Sequence, residues 1–136
     1  MRSVSLSEGA NRTKVNLKTQ LIGNDLVVYL FNDCAHMGAV ALADYSRADN
    51  RASTSVITRL GHKDDFVAYT AAHKLCKSLK RPVCAIAGIH LDDITEEEIA
   101  QITRNCDKLV DWLVGSMQSA VGSRKAGIRK FEKKRF

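Results

Sequence analysis

The chain reads as an α+β protein in two layers: a mostly antiparallel sheet of about five to six strands, with two helices packed on one face. Three observations predict it. Four strand-like segments precede the first helical period, the links between them are short, and one more apolar run separates the two helical stripes. Short links favour strands that neighbour one another, so an antiparallel meander is the expected topology.

"KVNLKTQLIG" (14–23) sets Val15, Leu17, Thr19 and Leu21 on alternate positions, the period of a half-buried strand. Gly23-Asn24-Asp25 is a turn, and "LVVYLFN" (26–32), β-branched and aromatic, returns as the second arm of a hairpin. "GAVALAD" (38–44) follows the loop "DCAHM" as a third strand, and "STSVITRL" (53–60) follows "YSRADNRA" as a fourth. A short strand near residues 3 to 7 can precede them all. From Asp64 to Leu79, Phe66, Val67, Ala71, Leu75, Cys76 and Leu79 fall at helical spacing, and Pro82 bars continuation. "VCAIAGI" (83–89) is nearly continuous in apolar residues, as a central strand is.

The last helix carries the most local signal. Thr95 and Glu98 form a capping box, Ile94 and Ile99 stand at staple positions, and three glutamates favour the positive helix end. Ile99, Ile102, Cys106, Leu109, Val110, Leu113 and Met117 then draw one apolar stripe.

A length of 136 residues suits one domain, read as residues 1–122, followed by a basic extension, 123–136. The extension holds Arg124, Lys125, Arg129, Lys130, Lys133, Lys134 and Arg135 against Glu132, which accounts for the whole formal charge of +6. Lacking interleaved base-stacking aromatics or an RNA-binding motif, it is expected to face solvent or a protein partner rather than nucleic acid. The four cysteines (Cys34, Cys76, Cys84, Cys106) form no C-x-x-C pair, so they read as small core residues in a reducing compartment, with Cys34 near His36 the one site candidate. No run approaches the roughly 18 apolar residues of a membrane span, and the first residues lack the apolar centre of a signal peptide, so a cytoplasmic protein is expected.

Chain direction brings three histidines to one rim. With strand 26–32 running up, His36 lies in the top loop, strand 53–60 returns to the top at Gly61-His62, and strand 83–89 delivers His90 there. His73 falls inside the first helix and reads as structural or solvated. Gly38, Gly61 and Gly88 beside the three histidines permit positive φ or a close backbone approach, and Lys63 precedes a helix N-terminus. A histidine oriented by Asp92 or Asp93 suits acid–base work, and His36, His62, His90 and Asp92 suit a metal chemically, although no metal-ligand spacing occurs. Three readings therefore stand: a cofactor-binding protein, a small enzyme, and a protein-assembly module. Tyr29, Phe31 and Trp112 are the stacking candidates in a chain of only 6% aromatic residues.

Together, "AHMGAVALA" (35–43), "STSVITRLGHKDD" (53–65) and "AGIHLDDITEEEI" (87–99) resemble the prenylated-flavin chaperone family, the D-subunit-like proteins associated with gallate and related hydroxyaryl-acid decarboxylases. The resemblance spans roughly residues 15 to 115 and implies a fold akin to small proteasome-assembly-chaperone domains. It also implies a non-catalytic, homo-oligomeric helper that handles prenylated FMN or FMN for a decarboxylase partner of the UbiD-like kind. Carried onto this chain, the cofactor contacts would be His36, Gly38, Gly61, His62, Lys63, His90 and Asp92.

Overall fold

A computed structural model describes residues 3–61 and 64–127, with side chains through residue 119. Six strands, β1 (Ser5–Glu8), β2 (Val15–Ile22), β3 (Asp25–Phe31), β4 (Ala39–Ser46), β5 (Arg51–Thr58) and β6 (Val83–Gly88), form one sheet ordered β1-β2-β3-β6-β4-β5. Helix α1 (Asp65–Leu79) links β5 to β6, and α2 (Glu96–Gly127) ends the described chain, running five residues into the segment read above as the basic extension. All pairings are antiparallel except β3 with β6.

The meander expectation fails at one place: β6 inserts between β3 and β4, which are not neighbours. The physical reason lies in burial. Val83, Ala85 and Ala87 are at most 1% exposed, and the centre of the sheet is where both flanks of a strand find ladder partners and a helix covers it. The helix α1 spans the distance that a parallel return requires.

Alternation assigns the faces. Val15, Leu17, Leu26, Val28, Leu30, Ala39, Ala41, Ala43, Val83, Ala85 and Ala87 point to the helices and are buried. Helix α1 packs on β4, β5 and β6, whereas α2 lies against α1 and the β1–β2 end. On α1 the buried stripe is Ala68, Ala71, Ala72, Leu75 and Cys76; Phe66, expected in it, is 63% exposed on the first turn. On α2 the predicted stripe is buried from Ile102 to Met117, while Ile99 stays half exposed. Each fully buried leucine here contributes roughly 1.5–3 kcal/mol by leaving water.

Local devices close the elements. Lys80 ends α1 in the left-handed region, φ 54°, with its N–H donating to the carbonyl of Cys76. At α2 the capping box is formed: the Glu98 N–H donates to Thr95 Oγ1 at 3.1 Å, and the Thr95 N–H to Glu98 Oε1 at 3.1 Å. His73 takes the structural role: its Nδ1 lies 2.9 Å from Thr54 Oγ1, and its ring stacks on Tyr69, joining α1 to β5.

Candidate functional site

The upper rim is built from the ends of β3 and β6, which run parallel and finish side by side, Phe31 opposite Gly88. Beyond them the two loops are tied together by Asn32. Its buried amide donates to the carbonyl of His90 at 2.7 Å and accepts the His90 N–H at 3.2 Å, pairing like one more rung of the ladder. That clamp brings the imidazoles of His36 and His90 to 5.5 Å between centroids, tilted by 34°. His90 Nε2 lies 3.0 Å from Asp92 Oδ1, so a carboxylate orients this ring.

A second tie holds the rim from below α2. Arg12 donates to Glu98 Oε2 at 2.8 Å and to the carbonyl of Asp92 at 2.7 Å. The hydrogen bond from Arg12, together with the Thr95 N–H, holds the Glu98 carboxyl below its ordinary range.

The rim glycines serve different ends. Gly61 has φ +75° with open space at its Cβ position, so there the demand is backbone conformation. At Gly38 a Cβ would overlap the carboxylate of Asp64, and at Gly88 it would overlap the carbonyl of His36. Both are glycines because the chain packs closely on itself.

Three clefts radiate from the histidine pair. One, of about 330 Å³, lies beneath His36 on the face of the sheet that the helices leave bare, floored by Tyr29, Phe31 and Ile86 and edged by Met37 and Lys18. Lys18 Nζ stands 5.7 Å from the Phe31 ring centroid, over the ring. A second, of about 350 Å³, is an apolar groove between the helix starts that includes Gly61 and His90 with Ile94 and Ile99. The third, of about 430 Å³, is polar and contains Arg12, Cys34, His90 and Asp92.

His36, Gly61, His90 and Asp92 are thus gathered on one rim, Gly38 is buried beneath it, and His62 and Lys63 lie outside the described residues. Among the described residues, no group of three or more His, Cys, Asp or Glu side chains is placed to hold a metal ion. Of the cysteines, Cys34 is exposed, whereas burial pushes the Cys106 thiol up to about 12. Cys84, expected in the core, is half buried on the bare face. Sequence reading missed Lys18; the usable signal was its cross-strand register with Tyr29, which follows once the 23–25 turn fixes the hairpin.

The architecture is thus a six-stranded sheet with two helices on one face and a rim on which His36 and His90 meet. Over residues 9–118 the chain matches the prenylated flavin chaperone LpdD-like domain, and it belongs to that family. The fold is shared with a solved structure described as a novel chaperone complex for yeast 20S proteasome assembly, at a TM-score of 0.55 and 13% identity, covering 83% of this chain and 96% of the other. No curated protein matches. Among the described residues, no helix is long and apolar enough to cross a membrane.

Proposed function

We propose that this chain binds a flavin mononucleotide-type cofactor, prenylated FMN, in the cleft beneath His36 and serves as a non-catalytic helper that supplies it to a hydroxyaryl-acid decarboxylase. The observation that carries the reading is the cleft itself: an aromatic and aliphatic floor with a cation and an imidazole at its edge. A flavin presents a flat, largely apolar ring system and an anionic phosphate. The ring suits Tyr29, Phe31 and Ile86, where offset stacking adds to burial, and the phosphate suits Lys18 and the donors of His36. His90, oriented by Asp92, stands close enough to His36 to reach the same ligand. His62 and Lys63, which precede α1 in the sequence, join this proposal as further contacts. Membership of the prenylated flavin chaperone family supports the choice of ligand.

The test is retention. Purified protein mixed with FMN or prenylated FMN and then desalted is expected to carry the flavin absorbance, and the Lys18→Ala/His36→Ala variant to bind at least about tenfold more weakly, equivalent to ~1.4 kcal/mol. Wild-type protein that releases all flavin on desalting sinks the reading. Addition of the loaded protein to a decarboxylase lacking cofactor then tests delivery by recovered activity.

A further inference from the structure

We propose that the groove between the starts of α1 and α2 is a docking site for a basic amphipathic helix of a partner protein. It lies at the rim end of the helical layer, apart from the cleft beneath His36, and is independent of the cofactor reading above.

The groove is apolar and continuous. At the rim it holds about 350 Å³ between Val67 of α1, Ile99 and Ile102 of α2, and Ile89, Leu91 and Ile94 from the loop after β6. Down the helices it narrows to about 10 Å³ beside Phe66, Thr70 and Val110, and the two parts share Val67 and Thr103. Large apolar side chains are left in water here: Phe66 is 63% exposed, Ile99 50%, Ile94 40%, and Leu60, next to Gly61 at the mouth, 98%. A hydrophobic staple asks Ile94 and Ile99 to meet each other and gives no reason for Phe66 and Leu60 to join them. One exposed apolar residue is ordinary, whereas several around one concavity mark an interaction site.

Shape selects a helix. The α2 wall runs from Ile99 to Val110, about 16 Å at 1.5 Å per residue, the span over which a helix presents anchors at i, i+3 or i+4, i+7 and i+11. Both walls are helices whose backbone groups are already paired, so an extended segment would find no ladder partners there and an occupant binds through side chains.

Charge selects the kind of helix. The chain carries +6 overall, yet residues 92–98 hold Asp92, Asp93, Glu96, Glu97 and Glu98 with no base among them. Asp64 lines the groove, Asp65 follows it in sequence, and Asp107 lines the lower part. The nearby cations are largely spent: Arg12 is engaged by Glu98 and Lys74 by Asp111, while Lys63 lies outside the described residues. Among the described residues, Asp65, Asp93, Glu96, Glu97 and Asp107 have no ion pair. Steps of three and four residues put Glu96, Ile99, Thr103 and Asp107 on one face of α2, so negative charge borders the apolar floor. Such a trough repels an acidic helix and suits one whose apolar stripe is edged by lysine or arginine. The basic extension of the same copy does not reach the deep part: Gly127 stands about 42 Å along α2 from Ile99, and the nine residues after it span about 32 Å at most.

The probe is a synthetic helix of about fourteen residues with leucine on one face and lysine on the other, titrated into the full-length chain and followed by peptide fluorescence anisotropy and by the protein's amide chemical shifts. Micromolar binding is expected, with shifts on residues 66–74 and 94–110 and none on β3. The same helix with glutamate in place of lysine should bind at least about tenfold more weakly. Phe66→Lys and Ile99→Lys, each checked for native circular dichroism, should weaken binding at least about fivefold, and Leu42→Lys on the opposite face of the sheet should leave it unchanged. Glu96→Gln/Asp107→Asn should cost about threefold at low salt and nothing at about 0.5 M. Should the lysine variants fail to fold, the wild-type shift map and the comparison of the two peptides decide. Absence of binding below about 200 µM, shifts confined to the opposite face of the sheet, or equal binding of the glutamate helix overturns the proposal. So does self-association of the full chain that Ile99→Lys abolishes, because the occupant would then be a second copy.

Discussion

The two faces of the one sheet are made of the same strands and follow opposite rules. Under α1 the sheet is paved with Ala39, Ala41, Ala43, Val83, Ala85 and Ala87, each at most 2% exposed, because α1 meets it with Ala68, Ala71 and Ala72 and so approaches closely. The opposite face carries Tyr29, Phe31, Leu42, Ile57 and Ile86, larger groups that, among the described residues, neither helix packs over. On the cofactor reading proposed above, the first face serves stability and the second takes the ligand.

Substitutions on the sheet, its rim and its helices test that contrast. The largest loss is expected from Leu75→Ala, which hollows the centre of the covered side and should cost about 2–5 kcal/mol in denaturant unfolding. Next comes Ala41→Leu, a larger group forced between β4 and α1, at roughly 1–3 kcal/mol in the same assay. A comparable cost, about 1–3 kcal/mol, is expected for Asn32→Ala, which strips two hydrogen bonds from the loop of His90; flavin retention should fall with it, tying the rim to the core. Thr95→Ala removes the cap of α2 and should cost about 1 kcal/mol. The smallest effect is a pH dependence. Because the Glu98 carboxyl lies below its ordinary value in the fold, its contribution is complete above that ordinary value, 4.5, and disappears as pH falls through the depressed one. The melting-temperature gap between wild type and Glu98→Gln should accordingly close in acid, and a gap that widens there contradicts the Arg12–Glu98 assignment.

How far these features could be read in advance follows from their range. The hairpin at 23–25, the capping box at Thr95 and the stripe of α2 are local, and each occurs where periodicity and turn chemistry place it. Phe66 departs because a stripe read from spacing does not say where the covering ends: the ring lies in a groove between α1 and α2 and stays 63% exposed. The insertion of β6 between β3 and β4 was illegible for a related reason: alternation says which side of a strand is buried and is silent about its neighbour. Likewise, Arg12 reaches Glu98 and Asp92 across some eighty positions, a contact to which no spacing rule applies.

By itself the sequence determined the elements, their order and the direction in which each strand runs, because those depend on side-chain period, caps and breakers within a few residues. Tertiary structure alone decided that β3 and β6 lie side by side, that Asn32 joins their ends to set His36 beside His90, and that Lys18 edges the cleft. These depend on which strand fills the centre of the sheet, a choice made by the burial of the whole chain at once.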